Sequence, residues 1–498
     1  MVTVPNFLVK RASLTPNRIA YEIEEEKVTF ADLHNQATII AGKLAFLGVK
    51  KGDIISIFMK NSIELVEVIF ALKHIGAITV LHNLRLTSQE LAFQMEDAGT
   101  RFLITDEERI AHLNDYLLIH QENILSIKKV KQSSEGAVVI QEEFDLDSVD
   151  TIMYTSGTTG HPKGVKQTYG NHFWSATGSA LNLGLHENDA WLAAVPLFHI
   201  SGLSILMRGV IYGMRVILHE RFDGQKVNLD IRDKGVTIVS VVSTMLRTLL
   251  DELGEKKYPS TFRCMLVGGG PVPLPMLEEC EKKEIPVFQT YGMTETCSQI
   301  VTLSPEAALT KIGSAGKALF PCQLKIMDEG KEAAAGHAGE IVVKGPNVTP
   351  GYFQNVGATN KAMKDGWFHT GDIGFLDEDG FLFVLDRRSD LIISGGENVY
   401  PAEIESVLLA HPGIKDVGVT GVDEVKWGQV PIAFVVKGQS KVMEEEVLQF
   451  VSQRLAGYKV PKRIILVDSL PRNAANKLLR RKLVELLPVE LDVRGPTK

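Results

Sequence analysis

The sequence predicts an α/β protein: a large amino-terminal domain of layered α/β sheets plus a small β-barrel, then a smaller, mobile α+β carboxy-terminal domain. Three observations carry this reading. Short apolar runs bounded by turn residues alternate with helical stretches through the first half, as in mainly parallel sheets. From Leu324 onward, short strands separated by Gly and Asp-Gly turns replace them, which suits a small antiparallel barrel or meander. Beyond Asp386 the order changes again to a compact mixture of helix and strand. At 498 residues the chain is also too long for one ordinary domain.

Each element follows from its local pattern. Residues 53–60 read as a strand, 63–75 as a largely buried helix and 78–81 as a second strand. The strand pattern returns at 191–194, 216–218, 238–242 and 264–267, and in the later meander at 340–343 and 381–385. A helix at 402–409, a strand at 432–436 and a helix at 444–455 build the last segment. The boundary falls near Asp386, inside a turn, so residues 1–386 form the first domain and 387–498 the second, joined by a hinge. The chain shows no internal repeat.

Composition narrows the function. Hydrophobic residues make up 45% and charged residues 23%, as in a soluble globular protein. A net charge of -8 gives no general attraction to nucleic acid or anionic lipid, so any polyanion must be bound locally. There is no basic stripe with interleaved aromatics, which argues against nucleic-acid binding. No apolar run reaches the roughly 18 residues of a membrane span. The nearest, 201–214, is broken by Arg208, which reads as structural. The amino terminus lacks the apolar core of a signal peptide. Cys264, Cys280, Cys297 and Cys322 show no metal spacing, and Cys297 reads as a buried, inert thiol. A cytoplasmic protein fits these features, and a homo-oligomer is compatible with them.

One stretch stands apart: Tyr154-Thr155-Ser156-Gly157-Thr158-Thr159-Gly160-His161-Pro162-Lys163-Gly164-Val165. Its glycines let backbone N–H groups approach phosphate oxygens, its hydroxyls add donors, and Lys163 adds a mobile charge. The order is not G-x-x-x-x-G-K-[ST], and Gly268-Gly269-Gly270-Pro271 is not a dinucleotide fingerprint. Farther on, Tyr291 can stack on adenine and the Gln289 amide can meet its amino group. Asp372 is suited to accepting both ribose hydroxyls.

With Pro196-Leu197-Phe198-His199, Tyr291-Gly292-Met293-Thr294-Glu295, Thr370-Gly371-Asp372, Asp386-Arg387-Arg388-Ser389-Asp390 and Pro471-Arg472-Asn473-Ala474-Ala475-Asn476-Lys477, these motifs stand in a telling order. Over nearly its whole length the chain resembles the adenylate-forming superfamily of acyl-CoA synthetases, luciferases and peptide-synthetase adenylation domains. The resemblance implies ATP, Mg²⁺ and CoA as reactants and cofactors. It implies that Thr155, Ser156, Gly157, Thr158, Thr159 and Lys163 cradle the β- and γ-phosphates. Glu295 would hold the cation and Thr294 the α-phosphate. Gly269, Gly270, Gln289, Thr290, Tyr291 and Gly292 would line the nucleotide, with Asp372 and Arg387 on the ribose. Lys477 would be the catalytic lysine, delivered by rotation about Ser389; the loop of Gly395 and Gly396 would then open the way for CoA. His199 would border the acyl pocket.

Local wording in 170–172, 179–184 and 293–305 is similar to the bacterial o-succinylbenzoate–CoA ligases of menaquinone synthesis. That implies 2-succinylbenzoate, whose second carboxylate needs donors if buried; Thr290, Ser304 and His199 are the candidates. Another aromatic or medium-chain acid, a non-catalytic nucleotide-binding homologue and a phosphate-releasing NTPase are the alternatives.

Overall fold

In the computed structural model, all residues are described except 1, 111–112, 114–122, 156–161, 271, 273, 387–391, 400, 439–442, 472–477, 479 and 489–498. The chain divides into two compact units. Met1–Leu84, Gln94–Tyr154 and Gly164–Leu385 form the first; Arg85–Phe93, Thr155–Lys163 and Asp386–Lys498 form the second.

One sheet of the first unit is ordered Val149–Thr155, Ile78–Leu81, Ile54–Phe58, Phe102–Thr105, Ile124–Ser126, with Lys163–Thr168 beside the first of these. The pairings from Val149–Thr155 to Ile124–Ser126 are parallel. Parallel strands are covered on both faces, which is why Ile55, Ser56 and Ile57 are all buried. The crossover helix Ile63–Ile75 forms where its signals say it should. Ser62 accepts from the Leu65 N–H at its start, and Gly76 closes it at φ 79°, a left-handed position that glycine takes without strain.

The second sheet counts 15 strands among the described residues. Val287–Met293, Cys264–Gly268, Ile238–Val242, Ala190–Ala193, Arg215–Leu218 and Ile19–Ile23 run parallel in that order. Ser298–Leu303 then pairs antiparallel with Val287–Met293, and antiparallel pairing continues through Ser314–Ala318 to Leu382–Asp386. The short late strands are therefore a meander continuous with the parallel sheet. The sheet changes character at Val287–Met293, with Gly268–Gly270 and Thr290–Glu295 at the carboxyl ends of the last two parallel strands. Such switch points leave a crevice for a ligand.

In the second unit, Glu397–Val399, Ile392–Ser394, Gly428–Lys437 and Ile414–Glu424 form an antiparallel sheet, and Arg463–Leu466 pairs parallel with Gly428–Lys437. Helices Pro401–Leu409 and Glu444–Ser452 supply Ile404 and Val447 to a core shared with Val419 and Val435. Within this unit the buried Lys459 ammonium lies 2.9 Å from Glu90 and 2.8 Å from Glu403. No helix among the described residues is long and apolar enough to cross a membrane.

Candidate active site

Tyr291 and Asp372 come together, although 81 positions separate them: the phenol donates to a carboxylate oxygen at 2.8 Å, and both residues are buried. Thr370-Gly371-Asp372 is part of the strand Trp367–Leu376. Gly371 sits at φ 73°, and its N–H donates to Glu340, whose other oxygen is 2.8 Å from His369. The Asp372 N–H donates to the Thr370 hydroxyl.

Gln289 is buried. Its side-chain oxygen accepts from the Val272 N–H at 3.2 Å, and its Nε2 has no hydrogen-bond partner among the described residues. A buried donor without a partner is costly, and here it suits a ring nitrogen better than an amino group. Gly269, at φ 84°, and Gly270 follow the neighbouring strand Cys264–Gly268. Gly292 lies where the register shifts; a Cβ there would fall 2.0 Å from the Ser298 carbonyl oxygen, so only glycine fits.

Thr294-Glu295-Thr296 forms a single 3₁₀ turn ending on Cys297 in the left-handed region. The half-buried Glu295 accepts from the Tyr352 hydroxyl at 3.0 Å. Among the described residues no group of three or more His, Cys, Asp or Glu side chains could cage a metal. One oriented carboxylate fits a hard cation such as Mg²⁺, which keeps waters and takes most of its oxygens from phosphate.

Cys297 is buried, as its sequence context implied. Its Sγ lies 3.3 Å from His172 Nδ1, whose Nε2 lies 3.2 Å from Asp150. Asp150 also pairs with the buried Lys73. Burial opposes the charge on Asp150, yet Lys73 holds its carboxyl well below the usual carboxylate range. Burial likewise opposes the imidazolium of His172, but Cys297 and Asp150 outweigh it and push that group up to about 9.

On the acyl side, His199 precedes the helix Ile200–Tyr212, with its ring 4.7 Å from that of Phe198. Gly202 packs so closely on the Pro196 carbonyl that a Cβ would come within 2.2 Å, which fixes how the helix leaves the loop. One of the expected carboxylate donors already has a partner. The Thr290 hydroxyl donates to the Val301 carbonyl at 2.9 Å. Arg208, a residue whose charge looked structural in sequence, is buried on the helix that follows His199. It is 2% exposed, lies over the Trp191 ring and reaches the Ser175 hydroxyl at 3.4 Å. Its Nε has no partner, and among the described residues no carboxylate pairs with it. Burial lowers its affinity for the proton. Ser204, one helical turn earlier on the same face, contacts Ser298 at 3.3 Å.

Thr155 ends the strand Val149–Thr155 and Lys163 begins Lys163–Thr168. Ser156, Gly157, Thr158, Thr159, Arg387, Ser389 and Lys477 lie outside the described residues. In the second unit, Gly395 and Gly396 turn between two strands at φ 58° and 84°. A Cβ on Gly395 would come within 2.8 Å of Trp427.

Comparison with known proteins adds the context. A family profile described as AMP-binding enzyme matches residues 8–353, and one described as AMP-binding enzyme C-terminal domain matches 403–477. The 2-succinylbenzoate–CoA ligase of Geobacillus kaustophilus is 59% identical over 489 residues, 98% of this chain and 99% of that protein. A double mutant of o-succinylbenzoate CoA synthetase from Bacillus subtilis, bound with its product analogue OSB-NCoA, matches at 49% identity with a TM-score of 0.93. The match covers 97% of this chain and 98% of that one. The same Bacillus subtilis enzyme in complex with ATP and magnesium ion matches at 49% identity with a TM-score of 0.77, over 97% of this chain and 100% of that one.

Proposed function

The chain belongs to the AMP-binding enzyme family, and from that premise we propose that it is an acid–thiol ligase of menaquinone biosynthesis. It converts 2-succinylbenzoate, ATP and CoA into 2-succinylbenzoyl-CoA, AMP and diphosphate. A substrate carboxylate oxygen attacks the α-phosphorus and diphosphate leaves; the CoA sulfur then attacks the acyl carbon and AMP leaves. Both substrates of the first step are anions, so positive charge and fixed donors must offset their repulsion.

The residues divide that work. Tyr291, Gly269, Gly270, Thr290 and Gly292 shape the adenosine site, Gln289 donates to the base, and Asp372 accepts from the ribose. Thr155, Ser156, Gly157, Thr158, Thr159 and Lys163 hold the β- and γ-phosphates, Thr294 the α-phosphate and Arg387 the ribose. Glu295 would hold Mg²⁺, which supplies charge neutralisation across the phosphates. We assign residues 1–386 to substrate binding and 387–498 to a lobe that turns on Ser389. That lobe brings Lys477 for adenylation, then Gly395 and Gly396 for thiolation. ATP and CoA as substrates suit a cytoplasmic reaction.

Arg208 is the observation that carries the choice of acid. A buried guanidinium without a carboxylate partner is unstable unless an anion joins it. A substrate with a second carboxylate supplies that anion; benzoate and fatty acids do not. Diphosphate release measured in parallel with 2-succinylbenzoate, benzoate and a medium-chain fatty acid tests this. Turnover is expected with the dicarboxylate alone. Faster turnover of either monocarboxylate would overturn the substrate and leave the ligase chemistry standing.

A further inference from the structure

Residues 347–353, which no motif singled out, grip the turn that carries Glu295. The three carbonyls of that turn are all occupied. Gln167 Nε2 donates to Thr294 at 3.0 Å, the Thr349 N–H to Glu295 at 2.8 Å and Asn347 Nδ2 to Thr296 at 2.8 Å. The same segment pairs with the chain just after Lys163. The Phe353 N–H donates to Gly164, the Lys166 N–H donates to Gly351, and Tyr352 bridges Val165. Gly351 takes φ 127° against Thr359, where a Cβ would come within 2.4 Å, so the segment has one path through this gap. At its end the Tyr352 hydroxyl donates to Glu295 Oε1 at 3.0 Å.

We propose that Tyr352 is a positioning residue for the divalent cation, fixing the plane of the Glu295 carboxylate before the metal–nucleotide arrives. This rests on the reading of Glu295 as the metal ligand. A glutamate side chain loses rotamer freedom on binding a metal, and a neighbouring donor that pre-orders it removes part of that cost. Hydrogen-bond partners of metal ligands typically change affinity by about 10–100-fold when removed. The backbone clamp sets where the turn sits; the phenol sets where the carboxylate points.

Tyr352→Phe keeps the ring and its packing and removes only the donor. Mn²⁺ binding, followed by electron paramagnetic resonance with ATP present, is expected to weaken about tenfold. The Mg²⁺ dependence of ATP–diphosphate exchange should shift by the same factor, with the rate at saturating Mg²⁺ close to wild type. Unchanged Mn²⁺ affinity, or a higher KM for ATP with no change in metal dependence, would overturn the role. Glu295→Gln run alongside separates the two readings. If it weakens Mn²⁺ and Tyr352→Phe does not, only the positioning role falls. If neither variant changes Mn²⁺ binding, the metal assignment falls with it.

Discussion

At the scale of single residues, the proposed site mixes positions legible in the sequence with one that was not. Tyr291, Gln289 and Asp372 could be read because an aromatic face, an amide and an acid are what adenosine requires, and each lay in a recognisable stretch. Arg208 could not be, because one charge in an apolar run looks the same whether or not a counter-ion lies across the fold. Thr290 was a plausible donor by type alone; the structure spends its hydrogen bond on Val301. Arg208→Met should cost about 2–5 kcal/mol of interaction with the dicarboxylate. That is a fall of roughly 30-fold or more in kcat/KM, with benzoate unaffected. The unliganded variant should melt no lower than wild type, since Met removes an uncompensated buried charge. Calorimetry alongside the kinetics checks both; equal losses for both acids would remove Arg208 from the acyl site.

At the scale of elements, local signals worked where they were complete. Ser62 and Gly76 bracket the helix Ile63–Ile75 as residues read in order would place it. The meander was legible as short strands but its connection was not. Pairing of Ser314–Ala318 with Leu382–Asp386 joins distant stretches, and no local period encodes such a partner. The buried run Lys73–Asp150–His172–Cys297 is another product of tertiary contact. It ties the strand before the phosphate loop to the turn after Glu295. The folded-state value of His172 is raised, so its contribution is complete below the unfolded value of about 6.5 and fades as pH rises through about 9. Asp150 is shifted the other way, so its contribution persists through neutral pH and fails only in acid. Melting temperatures of wild type and His172→Gln should therefore converge between pH 6.5 and about 9. A difference independent of pH would show that the charge on His172 contributes nothing.

At the scale of the whole molecule, a net charge of -8 argued against a general affinity for nucleic acid, and the order of motifs pointed to the two-step chemistry. The proposed sharing of chemistry between two lobes predicts that its half-reactions separate. Lys477 should serve adenylation only, and losing such a donor typically costs about a hundred- to a thousandfold in rate. A single-turnover experiment followed by phosphorus NMR examines this most directly. Wild type given 2-succinylbenzoate, ATP and Mg²⁺ without CoA should yield acyl-adenylate and diphosphate. Lys477→Ala should yield neither, yet still transfer a supplied acyl-adenylate to CoA. Orthophosphate as the product, or equal loss of both half-reactions in the variant, would contradict the account.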